Sequence, residues 1–435
     1  MSKKFSARDR FKAVFEHDTS GLDRLPMLSL GTPSQGLFYQ NWEKTVATED
    51  LPDEYVRITH FGDKTIQKWI NSEWHNLGLG WPHGYPSVEL PKDHPEWKRH
   101  ASQVDATAHS IHVGWAGGIS GSGMSIHGVP YGWYINGYFN RQVKDDGTVL
   151  APWEVRDAFY AEHGEPWDDK FAPDDAARKH FQEELKWYEA HYNDFSSEGF
   201  TDFALMTSGV GLFEATWEGM GSGTPAFAIM CRKYPGKLRT WLGQVRDMSC
   251  KSIKLQYELA EEVGAQIDFV WLWDDSGQKG RSLVDPAYHK EFWVPLYKDV
   301  CNLVHRHGGH VIIHSCGFGE SLVPNWIEAG IDAWQTVERA ALNEPSRVRE
   351  KHGGKIIMIG AVDASNTVSF AQTTGEVVDH VKQTMKDAVF TPENACYVPG
   401  FTHDLLDCPV QNVRAAVDAM LKYGQIAEIK KLKAS

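Results

Sequence analysis

The chain has 435 residues, of which 42% are hydrophobic and 23% charged, the balance of a folded globular protein and not the low-hydropathy, high-charge signature of disorder. Its 44 lysines and arginines against 58 aspartates and glutamates leave a net charge of −14, which argues against a nucleic-acid backbone or an anionic membrane as partner and favours a small molecule or another protein. No stretch approaches the roughly 18 apolar residues of a membrane span, and the charged opening Met1-Ser2-Lys3-Lys4 does not read as a secretory signal, so a cytoplasmic location is expected.

Taken in chain order, residues 6–17 carry the spacing of an amphipathic helix and 25–30 that of a strand. The turn that follows, Gly31-Thr32-Pro33-Ser34-Gln35-Gly36, does not fit the GxGxxG phosphate turn of a doubly wound sheet. Residues 69–167 differ in composition: eight of the chain's 17 tryptophans fall there (Trp69, Trp74, Trp81, Trp97, Trp115, Trp133, Trp153 and Trp167), among glycine-rich turns. This stretch reads as an inserted subdomain or lid, whose tryptophans either pack its own core or cover a site.

From about residue 200 the chain alternates short apolar runs with helical segments. Most of the runs 202–206, 267–273, 310–314, 333–337, 355–359 and 395–398 lack polar alternation, as buried parallel strands do. Between them, 236–263, 286–307, 375–388 and 410–423 have helical periodicity, with Asp285-Pro286 as a helix start and Gly264, Gly308 and Gly424 where helix ends favour glycine. One opening helix and a single βα series predict an α/β fold, a (β/α)8 TIM barrel spanning 1–435 with a large aromatic-rich insertion in its N-terminal part. Six cysteines without a CxxC pair read as reduced thiols.

In such a barrel the site lies at the C-terminal ends of the strands. Several runs end in chemistry-bearing residues: Asp274 and Asp275, His314 and Cys316, Glu338, Asp363, and after the last run Cys396, His403, Asp404 and Cys408. In His314-Ser315-Cys316 the imidazole and thiol are two residues apart and project to one side of a strand, so the pair can share a metal; nitrogen plus sulfur suits zinc. On spacing alone the alternative is a buried cysteine beside a hydrogen-bonded histidine. Asp274 and Asp275 face opposite ways as neighbours on a strand, so at most one enters the site and the other caps or closes a turn. His305, His307 and His310 lie at a helix C-terminus, where positive charge is favoured, and read as solvated or capping residues.

These segments resemble the uroporphyrinogen decarboxylase superfamily and, within it, the cobalamin-dependent methyltransferases. The resemblance rests on residues 10–15 and 23–26, then on Asp274-Asp275-Ser276-Gly277-Gln278, His314-Ser315-Cys316-Gly317, Ile359-Gly360-Ala361-Val362-Asp363, Thr374-Gly375-Glu376 and Pro409-Val410-Gln411-Asn412-Val413, in order and spacing. Decarboxylases proper carry an Arg-Gln-Ala-Gly-Arg segment that grips substrate carboxylates; residues 28–36 here contain no arginine.

The resemblance implies a zinc-assisted methyltransferase that moves a methyl group between a small substrate, a methoxylated aromatic or a thiol, and the cobalamin of a separate corrinoid protein. Asp274, Asp275 and His314 are then the candidate catalytic residues, and His314, Cys316, Glu338 and Cys396 the candidate metal ligands. The family's late cysteine follows Pro-Gly, but here Pro399-Gly400 runs into Phe401, so Cys396 is favoured, with His403 and Cys408 as alternatives. A homodimer is compatible with this reading. Competing readings are a metal-free decarboxylase-like lyase of the same fold and a non-catalytic corrinoid-binding subunit.

Overall fold

The computed structural model describes residue 5, residues 7–28, 204–219, 224–403, 405 and 408–434, together with the strand backbones at 74–77, 87–90, 110–114 and 119–122 and parts of a helix within 175–186. Among the described residues, seven strands form one wholly parallel sheet: β1 (Trp74–Leu77), β2 (Ala204–Val210), β3 (Phe269–Trp273), β4 (His310–His314), β5 (Ala333–Thr336), β6 (Ile357–Val362) and β7 (Tyr397–Phe401), neighbours in chain order throughout. Beyond β7, Leu28 donates its amide to the Pro399 carbonyl at 3.1 Å, so the segment expected as the first strand lies against the last one, as a closing barrel requires. The described strands form the parallel half-barrel of a TIM-barrel-like α/β fold, in line with the expected fold class.

The strands are apolar on both faces because they are covered on both. Val270, Trp271, Leu272, Val311, Ile312, Ile313 and the whole of β6 are buried, and each such side chain contributes roughly 1.5–3 kcal/mol by leaving water. Helix α1 (Ala7–Phe15) sits at the end where the strands begin: Phe11 and Phe15 pack on Phe269 with ring centres 5.5 and 4.6 Å apart. That end is therefore filled, and the opposite end is left for chemistry. Between β2 and β3 the chain forms α2 (Leu212–Gly219), α3 (Thr224–Lys233) and α4 (Pro235–Glu262).

The segment expected as one helix over 286–307 is two, α5 (Pro286–Phe292) and α6 (Val294–Arg306). Pro295 has no amide to donate and its ring opposes the preceding turn, so the helix breaks at Trp293 and restarts. Of the stretch 69–167, β1 lies in the main sheet beside Ala204–Thr207, and Ser87–Leu90, Ser110–Gly114 and Ile119–Ser122 pair antiparallel in a sheet of their own; the tryptophan side chains of the expected lid lie outside the described residues.

His305 and His310, expected as solvated or capping groups, instead flank one carboxylate. His305 Nε2 lies 2.8 Å and His310 Nδ1 3.3 Å from Asp332, which also accepts the Val311 amide at 2.7 Å. Burial alone would raise the Asp332 carboxyl, but the two imidazoles hold it down at about 2, and Asp332 raises His305 in turn. A carboxyl depressed in the fold stabilises above its ordinary value near 3.9, and a raised imidazole stabilises below its ordinary value near 6.5. Asp332→Ala should therefore cost about 2 kcal/mol for the lost half-buried acceptor of three hydrogen bonds, and denaturation of both proteins across pH should show the gap widest between about pH 4 and 6.5. A gap that keeps widening above pH 8 would contradict this linkage.

Candidate functional site

The ends of β3 and β4 are tied backbone to backbone. Asp274 donates its amide to the His314 carbonyl at 2.9 Å, and Ser276 donates its amide to Ser315 Oγ at 2.9 Å. The loops can meet so closely because Gly277 and Gly317 carry no side chain. A Cβ at Gly277 would stand 2.7 Å from the Phe318 nitrogen, and one at Gly317, where φ is +73°, would stand 2.5 Å from the Gly277 carbonyl carbon. The glycines in both segments are thus steric requirements of the junction.

This junction brings together three donors of different kinds. Asp275 Oδ, His314 Nε2 and Cys316 Sγ lie within 4.8 Å of one another. Asp275 Oδ1 accepts the Cys316 amide at 2.8 Å and stands 3.4 Å from His314 Nε2. On the far side of the imidazole, Nδ1 is hydrogen-bonded to Gln335 Oε1. With the Gln335 oxygen as acceptor, the imidazole tautomer that carries its proton on Nδ1 leaves the Nε2 lone pair toward the cluster, which is how a neighbouring residue orients a histidine ligand. Trp271 stacks on His314 at 5.8 Å, and Trp273, 36% exposed, tilts against it at 5.0 Å, so an aromatic face is open to solvent beside the donors.

Two further carboxylates border the cluster. Glu338, at the end of β5, accepts the Gly317 amide at 3.0 Å, and Glu214, on the helix α2 that follows β2, accepts the Asp275 amide at 3.2 Å. Burial first, then the charges of Asp275, Glu338 and Glu214, push the Cys316 thiol well above its ordinary range. A thiol kept protonated among carboxylates, with an imidazole lone pair beside it, is a donor set short of positive charge, and nitrogen, sulfur and oxygen at this spacing fit zinc.

The remaining sequence candidates stand elsewhere. Asp274, paired with Asp275 in the sequence, points the other way: its buried carboxylate accepts the amides of Leu212, Phe213 and Glu214 at 3.2, 2.8 and 2.7 Å and the Tyr297 hydroxyl, gripping the start of α2. Burial pushes it up to about 7, against the pull of Tyr297 and those amides. It closes a helix and does not join the donors. Cys396 precedes β7, at the end where the strands begin; its thiol donates to the Gly354 carbonyl at 3.2 Å and Asn394 Oδ1 at 2.9 Å and lies 3.1 Å from His17 Nδ1. A ligand reaching His314 would have to come from the opposite end of the strand, so Cys396 is not part of this cluster.

Glu338 is adjacent through Gly317 but outside the three-atom group, His403 is exposed beyond β7, and Cys408 is buried against Ser369 Oγ at 3.1 Å. Asp363 caps the turn after β6 by accepting the Asn366 amide at 3.1 Å. Sequence reasoning passed over Glu214, Gln335 and Trp273. Strand parity could have found two of them, since Trp273 precedes Asp275 by two residues and Gln335 is the register partner of His314.

The family model for uroporphyrinogen decarboxylase (URO-D) matches residues 200–423. Among curated proteins none matches the sequence. A solved methyltransferase from Methanosarcina mazei is similar in structure at 14% identity and a TM-score of 0.52, covering 96% of this chain and 99% of its own. A B12-independent methionine synthase from a Shewanella species is 14% identical with a TM-score of 0.36, over 59% of this chain and 68% of its own.

Proposed function

The chain belongs to the uroporphyrinogen decarboxylase family, and from that premise we propose that it is a zinc-assisted methyltransferase exchanging a methyl group between a small substrate and the cobalamin of a separate corrinoid protein. The observation that carries the proposal is the convergence of Asp275, His314 and Cys316 at the C-terminal ends of β3 and β4. Porphyrinogen decarboxylation needs cationic grips on several carboxylates. Among the described residues, the charged groups bordering the donors are the carboxylates Glu214 and Glu338, and the segment after the first strand is without arginine.

Asp275, His314 and Cys316 would hold the metal, with Asp275 supplying an oxygen where the Pro399-Gly400-Phe401 sequence lacks a thiolate. A zinc ion in that setting supplies Lewis acidity toward an ether oxygen, or keeps a thiol as thiolate. Gln335 holds the His314 proton on Nδ1 and so keeps Nε2 available. Cys316 gives up its proton when it becomes a ligand. The open face of Trp273 favours a methoxylated aromatic substrate over a simple thiol, because a flat ring beside the donors can be stacked and oriented. Leu342, 63% exposed after β5, and Phe370, 71% exposed after β6, offer apolar contact to a corrinoid protein on the strand-end loops.

Purified protein should contain about one zinc per chain and transfer methyl groups from aryl methyl ethers to added reduced corrinoid. It should leave uroporphyrinogen unchanged. Decarboxylation of uroporphyrinogen by metal-free protein would replace this reading with the family's namesake reaction.

A further inference from the structure

The contacts between the start of α2 and the end of β3 run in both directions. Asp274 reaches from β3 to take three amides of α2, while Glu214 reaches from the first turn of α2 back to the amide of Asp275. The same helix start is secured from outside the barrel, where Tyr297 donates its hydroxyl to Asp274 and Trp293 Nε1 donates to the Leu212 carbonyl at 3.3 Å. Two adjacent aspartates thus have separate duties: Asp274 anchors the helix, and the anchored helix returns a carboxylate to the backbone of Asp275.

What Asp275 needs is a fixed place. Its carboxylate is common to the Cys316 amide and the neighbourhood of His314 Nε2. It lies two residues past Trp273, the last residue of β3, where the ladder no longer fixes the backbone. The Glu214 acceptor replaces the missing ladder bond at that residue.

We propose that Glu214 is a positioning residue: through its hydrogen bond to the Asp275 amide it sets the Asp275 carboxylate in register with His314 and Cys316, and Asp274 with Tyr297 holds Glu214 in reach. The inference rests on the reading of these three residues as a metal site, and it concerns hydrogen-bond geometry, so glutamine should serve in place of Glu214 and alanine should not. Partners one shell removed from a ligand typically contribute 10- to 100-fold in metal affinity.

The test compares Glu214→Gln and Glu214→Ala in the full chain, loaded with cobalt(II) as a spectroscopic substitute for zinc, with amide hydrogen exchange of the metal-free proteins followed in peptides spanning Asp275. Glu214→Ala should lower cobalt affinity by about 10-fold or more, alter the ligand-field bands and speed exchange at Asp275. Glu214→Gln should restore all three to near the parent. Equal loss in both variants would assign Glu214 a charge role, and no change in either would leave it a surface-type contact; each overturns the proposal. If the parent binds no cobalt while exchange at Asp275 still separates alanine from glutamine, the clamp stands and the metal reading fails. Cobalt binding with unchanged bands and exchange in Glu214→Ala would keep the metal site and remove the clamp.

Discussion

Cys316→Ser should lose metal and methyl transfer together while the barrel stays folded. The substitution exchanges a soft anionic donor for a neutral hydroxyl of similar size, so the loss should exceed the 10- to 100-fold typical of removing a mere supporting partner. The fold should survive because Cys316 lies beyond the last residue of β4, in a loop held by backbone contacts that a serine keeps: its amide to Asp275, the Gly317 amide to Glu338 and the Phe318 amide to the Gln278 carbonyl. The thiol adds a further signature. Burial and three nearby carboxylates hold it protonated, so the arriving ion must displace that proton. Titrating zinc into weakly buffered protein near pH 7.5 should release about one proton per ion from the parent and none from Cys316→Ser, with affinity falling as pH falls. Release that is unchanged in the serine variant would remove Cys316 from the site.

Gly211→Ala should be the most damaging single methyl group in the described part of the chain. A Cβ at this residue, between β2 and α2, would fall 1.5 Å from the Trp273 carbonyl oxygen and 3.0 Å from the Asp274 Cα. Ordinary overpacking costs about 1–3 kcal/mol because side chains rotate away, but a carbonyl in a ladder cannot, so the cost should reach at least about 3 kcal/mol in urea denaturation. The displaced atoms lead directly into Asp274 and Asp275, so metal affinity should fall with stability. Gly236→Ala is the control: nothing lies within 4 Å of its added methyl, it stands in the first turn of α4, and alanine there should be neutral or stabilise by up to about 1 kcal/mol. Equal stability of the two variants would show that β3 can withdraw from α2.

The barrel was legible because burial on both faces leaves runs such as Val311-Ile312-Ile313 with no polar alternation, and the turn at residues 31–36 lacks the glycine pattern of the doubly wound sheet that shares this rhythm. The pair His314 and Cys316 was legible for the same reason that strands alternate, and so was the division of labour between Asp274 and Asp275, though which aspartate faces the site depends on where β3 ends. Cys396 misled because adjacency to Pro399-Gly400 in sequence says nothing about which end of a strand a residue occupies; it stands before β7 and its candidacy needed it after. Glu214 was hidden by distance along the chain, since its partner is 61 residues away and a lone glutamate in a helix's first turn reads as a favourable charge near a dipole. The break at Trp293 was hidden by an unbroken apolar rhythm, with Pro295 as its one visible sign.

The central claim is that Asp275, His314 and Cys316 together hold one metal ion. X-ray absorption at the zinc edge on the purified full chain, with metal content measured in parallel for the parent, Asp275→Ala, His314→Ala, Cys316→Ser and Cys396→Ser, addresses it directly. The account predicts about one zinc per chain with one sulfur neighbour and mixed nitrogen and oxygen neighbours, lost in the first three variants and retained in Cys396→Ser. Two sulfur neighbours, or zinc that survives Cys316→Ser and disappears in Cys396→Ser, would contradict it.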